Sequence, residues 1–192
     1  MASPVDSAGL PSQEERWIRA AQRGDRPAFA SLVEVYWDRL YRWLYHLTHD
    51  RHTAEDLVQE TFLKAFAGLD SFKAGTNFAA WLFRIAHNNF ANGRRAAASR
   101  KREPLPEDLA AKDFGPHEEA ESREALQELA QAMQRLPAEF RAALLLRVEQ
   151  DLSFREIAEV LGLTEETARW RVFRARQKLL SLLAPRQEQE KP

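Results

Sequence analysis

The sequence predicts an all-α protein: two small helical domains joined by a proline-rich acidic linker, the second a four-helix, winged-helix-like helix-turn-helix domain. Three observations carry this. Apolar residues recur at i, i+3, i+4 and i+7 through most of the 192 residues, as in helices packed by one face. Between Glu103 and Glu119 the pattern fails. Pro104, Pro106 and Pro116, Gly115 and several acids break any continuous helix there and mark a domain boundary. Leu152 to Leu183 then reads as a short helix, a glycine turn and a longer basic helix, the order of a helix-turn-helix unit.

Met1–Ser12, with Pro4, Gly9 and Pro11, reads as a disordered tail. Gln13–Gln22 is a short helix closed by Arg23, Gly24 and Asp25, and Pro27 suits the first turn of the next. From Ala28 a long helix carries Phe29, Leu32, Val33, Tyr36, Leu40, Trp43, Leu44 and Leu47 as a buried stripe. Trp37, Tyr41 and Tyr45 fall at its edges, so this helix is packed between neighbours. Thr53–Phe66 is the next helix, with Thr53 and Asp56 as its capping pair. Its core face is Ala54, Leu57, Val58, Thr61, Phe62, Ala65 and Phe66; Asp56, Gln59 and Glu60 share another face at i, i+3, i+4. On periodicity alone that second face is a solvated acidic surface.

Gly68–Asn77 is a polar loop that nevertheless holds Phe72, a ring either tucked into the core or waiting for a partner. In the helix Phe78–Arg95, Phe78, Trp81, Leu82, Ile85 and Ala86 point one way, while Arg84, Asn88, Ala91, Asn92 and Arg95 point another. Asn and Arg side chains suit base edges and phosphates, and aromatic rings beside them can stack on unpaired bases. Arg94, Arg95, Arg100, Lys101 and Arg102 add a basic cluster.

Beyond the linker, Leu126, Leu129, Met133 and Leu136 mark a helix stopped at Pro137, and Phe140, Leu144, Leu145 and Val148 mark the next. Ser153 with Glu156 forms a capping box, Ile157, Ala158 and Leu161 make a short apolar face, and Gly162 ends the helix. Thr164 caps the last helix, and Glu165 and Glu166 suit its positive end. Ala168, Val172, Phe173, Leu179, Leu180 and Leu183 are assigned inward; Arg169, Arg171, Arg174, Arg176 and Lys178 are basic. Such a second helix enters the DNA major groove; the plainer alternative is a surface hairpin whose basic residues are only solvated. We place the boundaries at 1–12 (tail), 13–102 (first domain), 103–122 (linker), 123–184 (second domain) and 185–192 (tail).

Composition excludes several functions. A formal charge of −1 is low for a protein that holds DNA by phosphate neutralisation alone, so the chain should bind DNA poorly without a larger partner. With no cysteine and no HExxH arrangement among five histidines, no metal site is expected, and we read the histidines as helix-end and loop residues. Seven glycines leave no phosphate-cradling loop, and no nucleophile–base set can be assembled. We therefore expect no catalytic activity and no cofactor. No apolar run approaches the ~20 residues needed to cross a bilayer, and the N-terminus lacks a signal pattern. A stand-alone helix-turn-helix regulator is the competing reading; it predicts tight DNA binding by the isolated chain and a symmetric dimer.

From about Gln13 to Leu183 the chain resembles bacterial RNA polymerase sigma factors of the extracytoplasmic-function (ECF) subfamily, which keep only the second and fourth regions of the larger sigma factors. DLVQETFLKAF at Asp56–Phe66 is similar to the family's helix that docks on the clamp of the polymerase β′ subunit. LDSFKAGTNFAAWLFRIAHNN at Leu69–Asn89 is similar to its loop and helix for the minus-ten promoter element, and Leu136–Leu179 to its minus-thirty-five reader. The resemblance implies a core-polymerase face of Asp56, Gln59, Glu60 and Leu63. It implies a minus-ten set of Phe72, Lys73, Trp81, Arg84, Asn88, Asn92, Arg94 and Arg95, with the Phe72 loop capturing a base flipped from the non-template strand. Trp81 stands where housekeeping sigma factors carry one of two wedging tryptophans; its neighbour here is Leu82, which implies weaker wedging and stricter promoter choice. The minus-thirty-five set implied is Arg155, Thr164, Thr167, Arg169, Trp170, Arg171 and Arg174.

Partners implied by the resemblance are core RNA polymerase (β′ clamp and β flap), promoter DNA and an anti-sigma factor bound across both domains, in the cytoplasm without membrane insertion. The acidic linker resembles the segment that threads toward the RNA exit path. One departure stands out. The family usually opens its recognition helix with Gly-Thr-Val and a small Ser between two basic residues, where this chain has Glu166-Thr167-Ala168-Arg169-Trp170-Arg171. No known minus-thirty-five sequence is therefore transferred to it.

Overall fold

Eight α-helices and one short 3-10 turn make up the computed structural model, which describes residues 12–73, 75–99 and 120–184. Linker residues 103–119, the basic residues Arg100, Lys101 and Arg102, and the tail residues 1–11 and 185–192 lie outside the described residues; Ser12, assigned to the tail, instead caps α1 by accepting from the Glu15 amide. No strand occurs among those described. The first half holds α1 (Gln13–Gln22), α2 (Arg26–Thr48), α3 (Arg51–Gly68), the 3-10 turn Leu69–Ser71 and α4 (Phe78–Ser99). The second holds α5 (Ala120–Gln134), α6 (Ala138–Val148), α7 (Phe154–Leu161) and α8 (Glu165–Leu183), so α5 starts inside the stretch assigned to the linker.

Most helix ends follow the local chemistry read from the sequence. Asp25 caps α2 by accepting from the Ala28 amide, with Pro27 in the first turn. Ser153 and Glu156 make the full capping box of α7, Gly162 closes it at φ 66°, and Thr164 caps α8 by accepting from the Thr167 amide. The start of α3 differs from the Thr53–Asp56 assignment. Asp50 is the cap, its carboxylate accepting from the Thr53 amide at 2.7 Å, and His49 before it takes a left-handed φ of 55°. The chain turns so sharply after α2 that the earlier aspartate reaches the free amides first.

Trp43, Phe83, Leu32, Leu40, Leu44 and Leu82 are fully buried at the centre of the first half. Aromatic rings meet edge to face there: Trp43 with Phe83 at 5.4 Å and Tyr36 with Phe78 at 5.4 Å. Leu136, Leu146, Leu152 and Ile157 centre the second half. Five residues assigned to apolar faces are instead exposed: Phe66 (48%), Leu129 (38%), Val148 (62%), Phe173 (56%) and Leu180 (70%). The ring of Phe66 lies against Phe29 at the rim. On α8 the inner face narrows to Ala168, Val172 and Ala175, because a helix crossing two short neighbours needs only one narrow stripe, and residues 173 and 180 fall outside it.

The two halves are in contact, and one apolar cluster runs through both. α4 packs on α7, and α2 on α6. Across this joint the Trp43 Nε1–H donates to the Ala142 carbonyl at 3.4 Å, Arg39 Nε donates to Gln150 Oε1 at 2.8 Å, and Asn77 Nδ2 donates to Glu156 Oε1 at 2.7 Å. Arg141, only 4% exposed, lies 2.7 Å from His49 Nε2 and donates to the Met133 and Gln134 carbonyls at the end of α5. Burial in this joint lowers the affinity of Arg141 for its proton.

Candidate nucleic-acid and polymerase interfaces

Three surfaces emerge from the geometry. On α3, Asp56, Gln59, Glu60 and Leu63 are all exposed, Leu63 at 72%. They run along one face because residues three and four apart share a side of a helix. Glu60 pairs with Lys64 at 2.6 Å, and Lys64 also donates to Asn89 Oδ1, whose own amide donates to the buried Thr61 hydroxyl. The acidic face is thus tied through a buried polar chain to α4. A bare leucine beside acids favours a partner that is basic and apolar at once.

The second surface is the loop before α4 with the polar face of α4. Gln22 on α1 holds the loop by donating to the Leu69 and Phe72 carbonyls at 3.0 and 2.8 Å. The Phe72 ring is 5% exposed, packed against Phe78 and Trp81 at 5.4 and 5.3 Å. It is therefore core, forming the floor of the loop, and what the loop presents to solvent is Lys73 beside the half-buried Trp81. Asn77 caps α4 by accepting from the Ala80 amide at 3.2 Å. Arg84, Asn88, Asn92, Arg94 and Arg95 are exposed along the helix, Arg95 donating to Asn92 and Arg94 lying over the Phe90 ring.

The helix-turn-helix is the third. Phe154 is sandwiched between the guanidinium groups of Arg147 and Arg169, at 5.2 and 5.0 Å. Arg169 also pairs with Glu165 at 3.0 Å, so that acid steadies a cation as well as repelling phosphate. Trp170 is half exposed, edge-on to Phe140 at 5.5 Å. Thr164 and Thr167 share a hydroxyl–hydroxyl bond at the mouth of α8, Arg174 donates to Gln177, and Arg155 pairs with Glu159 at 3.2 Å. Arg171 points elsewhere: it faces Glu139 at 3.7 Å and is largely covered.

Sequence reasoning missed how these surfaces meet. Arg84 of the α4 set and Arg155 of the helix-turn-helix set line one cavity of about 600 Å³, with Lys73 and Trp81 on its loop side and Glu156 and Glu159 on α7. A second cleft of about 380 Å³ joins Arg94 and Arg95 to Arg171, with His87 between. Burial first, then the Arg171 and Arg95 charges, hold the His87 imidazole below its usual pKa. For Glu156, burial pushes its pKa up, but hydrogen bonds from Ser153 and Asn77 outweigh it and keep the carboxyl below its ordinary range. None of the α3 face lines either cavity. An Asn directly before an apolar-periodic run was the signal that could have revealed the Asn77 cap. No group of three or more potential metal ligands gathers among the described residues.

Comparison with known proteins matches residues 32–100 to Sigma-70 region 2 and residues 126–179 to Sigma-70, region 4. The ECF RNA polymerase sigma factor SigE of Mycolicibacterium smegmatis is 37% identical over 95% of this chain and 77% of its own. The RNA polymerase sigma-H factor of Pseudomonas aeruginosa is 35% identical over 90% and 95%. Among solved structures, the sigma factor RpoE in complex with the anti-sigma factor NepR, from Bartonella quintana, superposes with a TM-score of 0.66 at 30% identity, covering 81% of this chain and 96% of that one. CnrH in complex with the cytosolic domain of CnrY gives 0.65 at 27% identity, covering 90% and 97%. The chain belongs to the extracytoplasmic-function sigma factors of the sigma-70 family, proteins of promoter-specific transcription initiation with RNA polymerase.

Proposed function

We propose that this chain is a dissociable subunit that joins core RNA polymerase, directs it to promoters with two spaced elements and helps open the minus-ten element. The observation that carries this reading is one chain with three faces of different chemistry: acid with bare leucine on α3, amide with guanidinium on α4, and arginine on α7 and α8. A stand-alone regulator needs only the last.

In this reading Asp56, Gln59, Glu60 and Leu63 dock on the β′ clamp, and residues 13–102 act as region 2. Lys73, Arg84, Arg94 and Arg95 hold the backbone of the minus-ten strand, while Asn88 and Asn92 meet its bases. Trp81 offers the stacking face, and Phe72 acts beneath it by fixing the loop. Opening a base costs a few kcal/mol, which the loop cavity and these phosphate contacts offset. Residues 123–184 act as region 4 and contact the β flap. Arg155, Thr164, Thr167, Arg169, Trp170 and Arg174 read the minus-thirty-five groove, with Arg171 joining them once freed from Glu139. The RpoE relative, solved with an anti-sigma factor, supports an anti-sigma partner for this chain. We place its work in the bacterial cytoplasm with polymerase.

Run-off transcription from a genomic promoter library, with bacterial core polymerase, tests the reading. New start sites that disappear when Asp56, Gln59 and Glu60 become Ala are expected. No new starts, with tight duplex binding by the chain alone, would favour the stand-alone regulator.

A further inference from the structure

We propose that α1 takes part in promoter reading: Gln22, in its last turn, is a positioning residue that holds the loop after α3 in the shape that captures an unpaired base. This deepens the minus-ten reading above and rests on it.

Gln22 acts on backbone. Its amide nitrogen donates to the Leu69 carbonyl at 3.0 Å and the Phe72 carbonyl at 2.8 Å, partners 47 and 50 residues away in sequence. Both hydrogens of the amide are thereby used. Leu69 opens the 3-10 turn and Phe72 closes it, the Phe72 amide donating to the Leu69 carbonyl at 3.0 Å. One side chain therefore grips both ends of a single turn. Lys73 follows directly on the pinned Phe72 carbonyl, and the Phe72 ring lies 5.3 Å from that of Trp81. The place of this peptide sets the exit of Lys73 and the seat of Trp81, the two groups that the loop offers to a base.

The support behind Gln22 is firm. Ile18 and Ala21 of α1 are buried, and Glu14 accepts a hydrogen bond from the Tyr36 hydroxyl of α2. The loop's own side-chain bonds are short in range: Ser71 donates to the Gly68 carbonyl and Thr76 to the Lys73 carbonyl, each across three residues. Such bonds shape a turn without fastening it to the body of the protein. Without the Gln22 donors, the two carbonyls would turn toward water and take the loop with them. Strand affinity then falls with the fraction of time the loop keeps its capturing shape. The match to Sigma-70 region 2 begins at residue 32, so α1 lies ahead of it.

The test uses the full chain bound to core polymerase. Its probe is a fluorescein-labelled single strand, the non-template strand of a promoter mapped by run-off transcription. Each base of the minus-ten element is made abasic in turn, and anisotropy reads the affinity lost. In the parent, the captured base should appear as a position whose removal weakens binding at least about fivefold, the lower end of base–aromatic stacking. Gln22→Met keeps the length of the side chain without donors or charge. It should bind the intact strand at least about fivefold more weakly than the parent, and lose under about twofold more at the abasic position, the non-additivity of groups that act together. Gln22→Lys returns donors and should keep the parent's abasic penalty; that penalty is a ratio within one protein, so the added charge cancels. Core polymerase should capture both variants as it does the parent, because the α3 face is untouched. A Gln22→Met chain that is captured by polymerase and keeps the parent's penalty overturns the proposal. A Gln22→Lys chain that loses the penalty overturns it too, even where the Met chain does not fold. A parent with no such position overturns instead the base-capturing reading of the loop.

Discussion

Replacing Trp43 tests the core of the first half and the joint together. Its side chain is fully buried, its ring meets Phe83 edge to face at 5.4 Å, and its N–H donates to Ala142 in the other half. A tryptophan buries about 150–250 Å², which at about 25 cal/mol per Å² is roughly 4–6 kcal/mol. The Ala side chain retains little of that contact, and measured Trp→Ala losses in cores run about 3–5 kcal/mol. Trp43→Ala should therefore cost about 4 kcal/mol, a large part of a total stability of about 5–15 kcal/mol. Trp43→Phe keeps a ring against Phe83 and loses chiefly the hydrogen bond and the second ring, so about 1–2 kcal/mol is expected. Urea unfolding followed by circular dichroism at 222 nm reads both. With a slope of about 2 kcal/mol per molar, the Ala variant should unfold about 2 M earlier and the Phe variant somewhat under 1 M earlier. An Ala midpoint within about 0.5 M of the parent would refute the packing described.

Gly162 sits at φ 66° with nothing near an added Cβ; Gly162→Ala should lose about 1 kcal/mol from backbone strain alone, with Asn costing less, by thermal melts. Ser153→Ala removes the α7 cap and should cost about 1 kcal/mol in the same assay. Leu63→Asp should leave the melt within about 0.5 kcal/mol of the parent, since Leu63 is 72% exposed, while abolishing capture of the chain by core polymerase in a pull-down. Burial first, and then Arg141 among nearby charges, lowers the His46 pKa as the α4 environment lowers that of His87. Both therefore bind a proton less readily in the folded chain, and as the pH falls the unfolded chain takes the protons first. Stability from these two is thus full above about pH 6.5 and falls as the pH drops below it. Melts between pH 7.5 and 5.5 should show the fall, and His46→Gln/His87→Gln should flatten it.

Helix positions were legible because each rests on local chemistry: the Ser153–Glu156 box, the Gly162 stop and the Pro27 start are all decided within one turn. The stripe on α2 was legible for the same reason, its residues repeating every helical turn. The cap of α3 was not, since Asp50 and Thr53 both lie near the turn and only the left-handed φ at His49 decides between them. Phe72 could be read either way from a polar loop; contact with Phe78 and Trp81, and the Gln22 hydrogen bonds 47 and 50 residues away in sequence, place it inside. Phe173 and Leu180 misled because hydropathy names a preference, whereas burial depends on how wide a stripe the neighbouring helices cover. The α3 face was visible as a set of residues, but its meaning came from family resemblance. Nothing periodic in α4 or α7 announces that they meet, because Asn77 reads as a loop residue and Glu156 looks fully employed in its capping box.

The hydrogen bonds that cross the joint bear on how this chain can be recombined. Chimeras that exchange a whole promoter reader between sigma factors assume that region 2 and region 4 are modules linked only by their connection. Here Arg39 answers Gln150, Trp43 answers Ala142 and Asn77 answers Glu156, so a transplanted region 4 without a glutamate and a glutamine at those two places arrives without a matching seat. Such a hybrid would keep both reading heads and lose the fitted contact between them. Exchanges cut to carry these three positions with their partners preserve the protein's own pairing, and the boundary for swapping is therefore drawn by the joint rather than by the linker.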